Sequence, residues 1–292
     1  MRIERANAKI NLYLNIVGRR ENGYHDIVSI MQAVSLCDLV SIEFYPGEHT
    51  SVSLTASGND RMPTDCRNLA WRAAERYLQR IDRRGEVRLS IEKHIPMAAG
   101  LAGGSTDAAA VLRGLNLLCG SPLSLDELCE LGASMGADIP FCIKGGAALV
   151  TGIGECLTDI PPMPSCPLVV ACQGEGVSTP VAYGKLDALH DHFVNAEPYD
   201  SRVDQIVDRI KNNEIEPACS GFYNIFEEVV PHEQPFVNAI KQTMIEHGAI
   251  RSMMSGSGPS VFGVFRDLEA ASAACEALRR SGAAAFVCEP KK

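Results

Sequence analysis

Pro96-Met97-Ala98-Ala99-Gly100-Leu101-Ala102-Gly103-Gly104-Ser105-Thr106-Asp107 decides how the rest of this chain is read. Before it, Val87 to Glu92 alternate as a strand does; after it, Ala108, Val111, Leu112, Leu115 and Leu118 recur at helical spacing. The order is strand, glycine loop, helix. Three glycines and small side chains admit close approach of backbone to a ligand, and a helix start offers unpaired N–H groups at the positive end of its dipole. That suits a phosphate, although the same residues also make a plain turn and cap. Neither common phosphate motif fits. Gly104 is followed by Ser105 where a P-loop needs lysine, and two residues separate Gly100 from Gly103 where a dinucleotide fingerprint needs one.

Upstream, residues 8 to 17 alternate: Ile10, Leu12, Leu14 and Ile16 share one face, Lys9, Asn11, Tyr13 and Asn15 the other. One face is core and the other is free for chemistry. The turn-rich Gly18-Arg19-Arg20-Glu21-Asn22-Gly23-Tyr24-His25 leads to strands predicted over 27–34 and 38–45, with hairpins between them. An amphipathic helix is predicted over 67–81, with Leu69, Ala73, Tyr77 and Ile81 in one stripe.

Downstream, Ser124-Leu125-Asp126-Glu127 has the form of a capping box and opens a helix through Met135 that Gly136 ends, leaving Ala137 to Pro140 exposed at a break. Strands are predicted over 146–150, 167–172, 260–265 and 284–288, and helices over about 200–212, 235–247 and 268–280. Pro161-Pro162-Met163-Pro164 marks a domain boundary, giving domains 1–160, with the glycine loop, and 161–292. Strands and helices mix without regular alternation, so the fold class is α+β in two halves.

Hydrophobic residues at 46% and charged ones at 22% describe a chain folded along its length. A net charge of −9 disfavours a nucleic-acid or anionic-membrane surface, and a small anion held locally is still compatible with it. Eleven cysteines form no C-x-x-C pair and read as reduced thiols of the cytosol. No metal-ligand spacing occurs among the cysteines and seven histidines, so no structural zinc is expected. The first residues lack an apolar signal core, and a cytoplasmic location is expected.

Three motifs in order, Ala8-Lys9-Ile10-Asn11-Leu12, Pro96 to Asp107 and Ser255-Gly256-Ser257-Gly258-Pro259-Ser260, resemble those of the GHMP kinases, the small-molecule kinases that include galactokinase, homoserine kinase and mevalonate kinase. Gly18 to His25, Gly136-Ala137-Asp138-Ile139-Pro140 and Gly176-Val177-Ser178-Thr179-Pro180 are similar to the branch that acts on a cytidine-diphosphate-linked methylerythritol. The resemblance spans residues 1 to about 265. It implies a two-domain GHMP kinase fold with the active site in the interdomain cleft, and ATP-dependent phosphorylation of that substrate's 2-hydroxyl, with Mg²⁺.

By the same resemblance, Asp138 accepts the hydroxyl proton while Lys9 polarises the hydroxyl and stabilises the developing charge. Without it, Lys9 is a solvated strand lysine and Asp138 a cap or turn aspartate, since both types mostly face water. The loop Pro96, Met97, Ala98, Ala99, Gly100, Leu101, Ala102, Gly103, Gly104, Ser105 and Thr106 wraps the ATP phosphates, with Ser105 or Thr106 on a phosphate oxygen or Mg²⁺. Asp107 either points away from the triphosphate or faces hydrated Mg²⁺. Asn68 and Lys93 flank the adenine; equally, they are a helix cap and a surface charge. Tyr24 and Tyr183 stack on the cytosine and His25 hydrogen-bonds to it, with Asn11, Thr179, Gly256 and Ser257 completing the substrate site. The partners implied are the small-molecule substrate and ATP, with no nucleic acid or membrane, and a monomer or weak homodimer.

Overall fold

The computed structural model describes residues 1–193 and 200–292. It divides into two compact units that interleave along the sequence: Met1–Ala8, Cys37–Ile95 and Ala102–Gly145 form the first, and Lys9–Leu36, Pro96–Leu101 and Gly146–Lys292 the second. Pro161 to Pro164 lie inside the second. Two long strands, β1 (Arg2–Arg19) and β2 (His25–Pro46), contribute to both. β2 is one strand where two are predicted, because Ser35-Leu36-Cys37 holds no glycine or proline to stop it; the Ser35 amide donates to the Glu289 carbonyl at 2.8 Å.

In the first unit, β3 (Ser51–Ser57) runs parallel to β4 (Gly85–Glu92), which pairs antiparallel with Leu39 to Pro46 of β2. Helix α1 (Leu69–Arg80) packs on α2 (Gly103–Leu118), and α2 and α3 (Leu125–Ala133) pack on α4 (Ile139–Lys144). The capping box is present: the Ser124 hydroxyl accepts from the Glu127 amide at 3.3 Å, and the Glu127 carboxylate from the Ser124 amide at 2.9 Å. Helix α2 starts five residues before the predicted Ala108. Gly103 to Asp107, read as loop for their glycines, form its first turns, with Ala102 as a left-handed cap at φ 59°.

The second unit adds β5 (Ala147–Thr151), paired with Ser29 to Gln32 of β2, and β6 (Cys156–Asp159) beside it. After β7 (Leu168–Cys172) come helices α5 (Thr179–Leu189), α6 (Arg202–Lys211) and α7 (Ile215–Ser220), then the two-residue β8 (Tyr223–Asn224) against Tyr13 and Leu14 of β1. Helices α8 (Val230–Glu233) and α9 (Pro235–Glu246), strands β9 (Arg251–Met254) and β10 (Val261–Val264), helix α10 (Leu268–Arg280) and strand β11 (Ala284–Cys288) follow. An antiparallel sheet ordered β11-β7-β10-β9 carries α9 and α10, and Val169, Ala171, Met244, Val261, Phe265 and Leu278 fill the core between them. Among the described residues, no helix is long and apolar enough to cross a membrane.

Candidate active site

In the second unit the three motifs meet. The Lys9 amide donates to the Leu101 carbonyl at 3.2 Å, and the Asn11 amide to the Ser255 hydroxyl at 3.3 Å, which itself donates to the Gly100 carbonyl at 3.1 Å. Gly100 is obligatory here: its φ is +77°, and a Cβ would stand 2.1 Å from the Ser255 carbonyl oxygen. Lys9 is not the solvated strand lysine that its type alone suggests: Lys9, Asn11 and Tyr13 on the polar face of β1 are all buried. Buried polar groups need partners. The Lys9 ammonium donates to Asn11 Oδ1 at 2.6 Å, and Asn11 Nδ2 to the Ser29 hydroxyl at 2.8 Å. Gly256 is close enough that a Cβ would meet Lys9 Nζ at 3.4 Å. Among the described residues Lys9 forms no ion pair, and the hydrogen-bond partner of its ammonium is a neutral amide oxygen.

Asn224, which sequence reasoning missed, donates from Nδ2 to the Met254 and Gly256 carbonyls, each at 2.8 Å, and fixes the Ser255-Gly256 turn. The Thr179 and Ser257 hydroxyls are 2.8 Å apart. His25 is buried, its Nε2 2.6 Å from Asp187 Oδ1, its ring stacked on Tyr183 at 4.6 Å and 24°. Tyr183 is also met edge-on by Phe226 at 4.9 Å. One face of Tyr183 is therefore taken by His25 itself. Tyr24 is 59% exposed.

In the first unit, the α2 start carries the other half of the glycine loop. Backbone φ is positive at Ala98, Gly100 and Ala102, every second residue, and such alternation of hands is the backbone pattern of anion-binding nests. The first intrahelical bond is from the Thr106 amide to the Ala102 carbonyl at 2.9 Å, so the Gly103, Gly104 and Ser105 amides precede the ladder. Thr106 is buried and its hydroxyl donates to the Asn7 carbonyl at 2.7 Å, whereas Ser105 is half-buried. Asn68 caps α1: its Oδ1 accepts from the Ala70 amide at 2.9 Å and its Nδ2 donates to the Pro63 carbonyl at 2.8 Å.

Lys93 is buried, not a surface charge. Its ammonium is bonded to Asp38 Oδ2 and, at 2.8 Å, to Asp107 Oδ2, and a Cβ on Gly103 would meet it at 3.4 Å. Burial pulls against the lysine charge, but Asp107 and Asp38 more than restore it and hold the ammonium above its usual range. Asp38 Oδ1 accepts from the His94 and Ile95 amides at 2.6 and 2.8 Å, while Asp107 Oδ1 is buried without a partner. Asp107 is thus the weaker anion of the two, and burial pushes it up to about 7. Its carboxylate faces Lys93 and is turned inward. Asp38 was legible as a lone carboxylate within Leu36-Cys37-Asp38-Leu39-Val40.

Asp138 is half-buried rather than exposed and sits at the N-terminus of α4, where its side chain makes no capping hydrogen bond. Its carboxylate is not consumed by the helix. No group of three or more His, Cys, Asp or Glu among the described residues is placed to hold a metal ion.

Residues 68–146 match the model of the GHMP kinases N terminal domain, and residues 200–284 that of the GHMP kinases C terminal. The 4-diphosphocytidyl-2-C-methyl-D-erythritol kinase of Lachnospira eligens is 40% identical over 280 residues, 96% of this chain and 94% of that protein. The chain is a GHMP kinase. A kinase of the same name from Caldicellulosiruptor saccharolyticus is 41% identical over 95% of this chain and 92% of its own. Among solved GHMP kinase folds, a 4-(cytidine 5'-diphospho)-2C-methyl-D-erythritol kinase superposes over 100% of both chains with a TM-score of 0.81 at 32% identity. A homoserine kinase from Cytophaga hutchinsonii gives a TM-score of 0.74 over 98% of this chain and 93% of its own at 19% identity, which shows the shared fold.

Proposed function

We propose that this GHMP kinase transfers the γ-phosphoryl group of ATP to the 2-hydroxyl of 4-diphosphocytidyl-2-C-methyl-D-erythritol. The similarity to kinases of that name over 96% of the chain carries the reading. Phosphoryl transfer asks for held phosphates, compensated charge and a proton acceptor. Asp138, a carboxylate its helix does not use, takes the hydroxyl proton. Lys9, buried against a neutral amide, supplies positive charge to the transferring group. The Gly100 to Ser105 amides bind the phosphates, and Pro96 to Thr106 form the loop that presents them.

Asn68 and Lys93 border the adenine with backbone and side-chain stem, their polar ends being engaged elsewhere. Tyr24 and Tyr183 flank the cytosine and His25 bonds to it; Asn11, Thr179, Gly256 and Ser257 border the substrate. The half-buried Ser105 hydroxyl is the protein oxygen that would help hold a Mg²⁺ ion accompanying the nucleotide, which would neutralise charge on the phosphates; such ions need few protein oxygens. The enzyme works in the cytoplasm as a monomer or weak homodimer.

The test is ADP release with 4-diphosphocytidyl-2-C-methyl-D-erythritol, mevalonate, homoserine and galactose in parallel. Turnover with the first alone is expected. Faster turnover with another acceptor would assign a different GHMP kinase activity, and nucleotide binding without ADP release would make the protein a nucleotide-responsive regulator.

A further inference from the structure

We infer that Asp187 is a positioning residue that keeps the hydrogen of His25 on Nε2, leaving Nδ1 as an acceptor that selects a pyrimidine carrying an exocyclic amine; this rests on reading His25 as the partner of the base. Asp187 is buried near the end of α5, one turn after Tyr183, and its Oδ1 lies 2.6 Å from His25 Nε2. A carboxylate only accepts, so Nε2 must donate and the neutral ring has its lone pair on Nδ1. Three contacts fix the ring itself: Tyr183 stacks on its face, Phe193 meets it edge-on at 5.9 Å and 88°, and Asp187 holds one nitrogen. Arg19 Nε, 3.5 Å from Asp187 Oδ2, holds the carboxylate from its other side.

Among the described residues, none is hydrogen-bonded to His25 Nδ1, which leaves that acceptor for a ligand. Cytosine and uracil differ at position 4, an amine in one and a carbonyl oxygen in the other. An acceptor aligned with position 4 takes a hydrogen from the amine and repels the oxygen. Sites that hydrogen-bond one group discriminate strongly against its absence, because the partner is left unpaired. The carboxylate thus turns a residue able to read either base into one that reads cytosine.

Asp187→Asn tests this, because a carboxamide can either accept from Nε2–H or donate to bare Nε2 and so no longer dictates the tautomer. Calorimetric titration of the wild-type protein, D187N and D187E with CDP and with UDP measures the ratio of the two dissociation constants. The wild type is expected to favour CDP, D187N to lose about tenfold of that preference, and D187E to restore most of it. Loss of affinity for both nucleotides with the ratio intact, which is what a merely structural role gives, would overturn the proposal. A second readout is the tautomer: ¹⁵N resonances of His25 should show the hydrogen on Nε2 in the wild type and a mixture in D187N, and a wild-type hydrogen on Nδ1 would also overturn it. Equal wild-type affinity for CDP and UDP would instead remove the reading of His25 as the base partner, and the proposal with it.

Discussion

Lys93 Nζ lies 2.8 Å from Asp107 Oδ2 and is bonded to Asp38 as well, so one buried ammonium serves two buried carboxylates beside the first turn of α2. With both carboxylates ionised the cluster would carry one negative charge more than it balances, and the partnerless Asp107 Oδ1 is where that surplus would be felt.

That surplus makes stability depend on pH with a definite sign. Folded, Asp107 releases its proton near 7; unfolded, it does so in the ordinary carboxylate range near ~4. Between those values the folded protein holds a proton that the unfolded chain has lost, so Asp107 lowers stability as pH rises through the window. Asp107→Asn lacks this dependence. Urea unfolding at several pH values between about 4.5 and 8 should show wild-type stability, relative to the variant, falling by up to about 1.4 kcal/mol per pH unit below neutrality and levelling above it. A pH-independent difference would mean that Asp107 is ionised throughout.

Lys93→Met leaves Asp38 and Asp107 buried together without their cation. The expected loss is about 3–5 kcal/mol, read from the urea midpoint. Arg67→Met breaks only the exposed pair with Asp65 and should leave the midpoint unmoved.

Asp138→Asn keeps the shape of the helix start and removes the proton acceptor. Turnover should fall on the order of 10²-fold or more while ATP affinity, measured by calorimetry, is retained. Near-normal turnover would place the base elsewhere.

Gly100→Ala should abolish nucleotide binding, because the new methyl would meet the Ser255 carbonyl at 2.1 Å in a left-handed backbone. Gly23→Ala is the control: its φ is +85° but nothing stands within 4 Å of the added atom, so only a strain of about 1–2 kcal/mol is expected and ATP binding persists.

Tyr24→Ala removes an exposed ring with little to pack against. Base–aromatic stacking is worth about 1–3 kcal/mol, so KM for the cytidine substrate should rise about 5- to 150-fold with KM for ATP unchanged. An unchanged KM for both would point to an acceptor without a base.

What the sequence discloses and what it hides follow the range of the interactions. Ser124 and Glu127 are three residues apart, and the motif is complete within one turn, so it is visible. Asp38, Lys93 and Asp107 come together from separate elements, and no local spacing marks them as partners. Glycine misleads at Gly103 and Gly104: its low helix propensity argues for loop, yet packing carries the helix through both. Helix α5 was missed although Pro180 stands in its first turn, a start signal that a weak apolar stripe left unsupported. The motifs at Lys9, Gly100 and Ser255 were readable as a set because each is locally unusual, and their meeting in the second unit is what no local pattern encodes.

The interleaving of the two units has a consequence during synthesis. Leu14 and Ile16 leave the ribosome early, yet most of the core they join, within Gly146–Lys292, is translated much later. For that interval an oily ribbon waits for its cover, while the other unit has every residue it needs once Gly145 has emerged. The nascent protein is most vulnerable to aggregation, and most in need of a chaperone's grip, between those two moments.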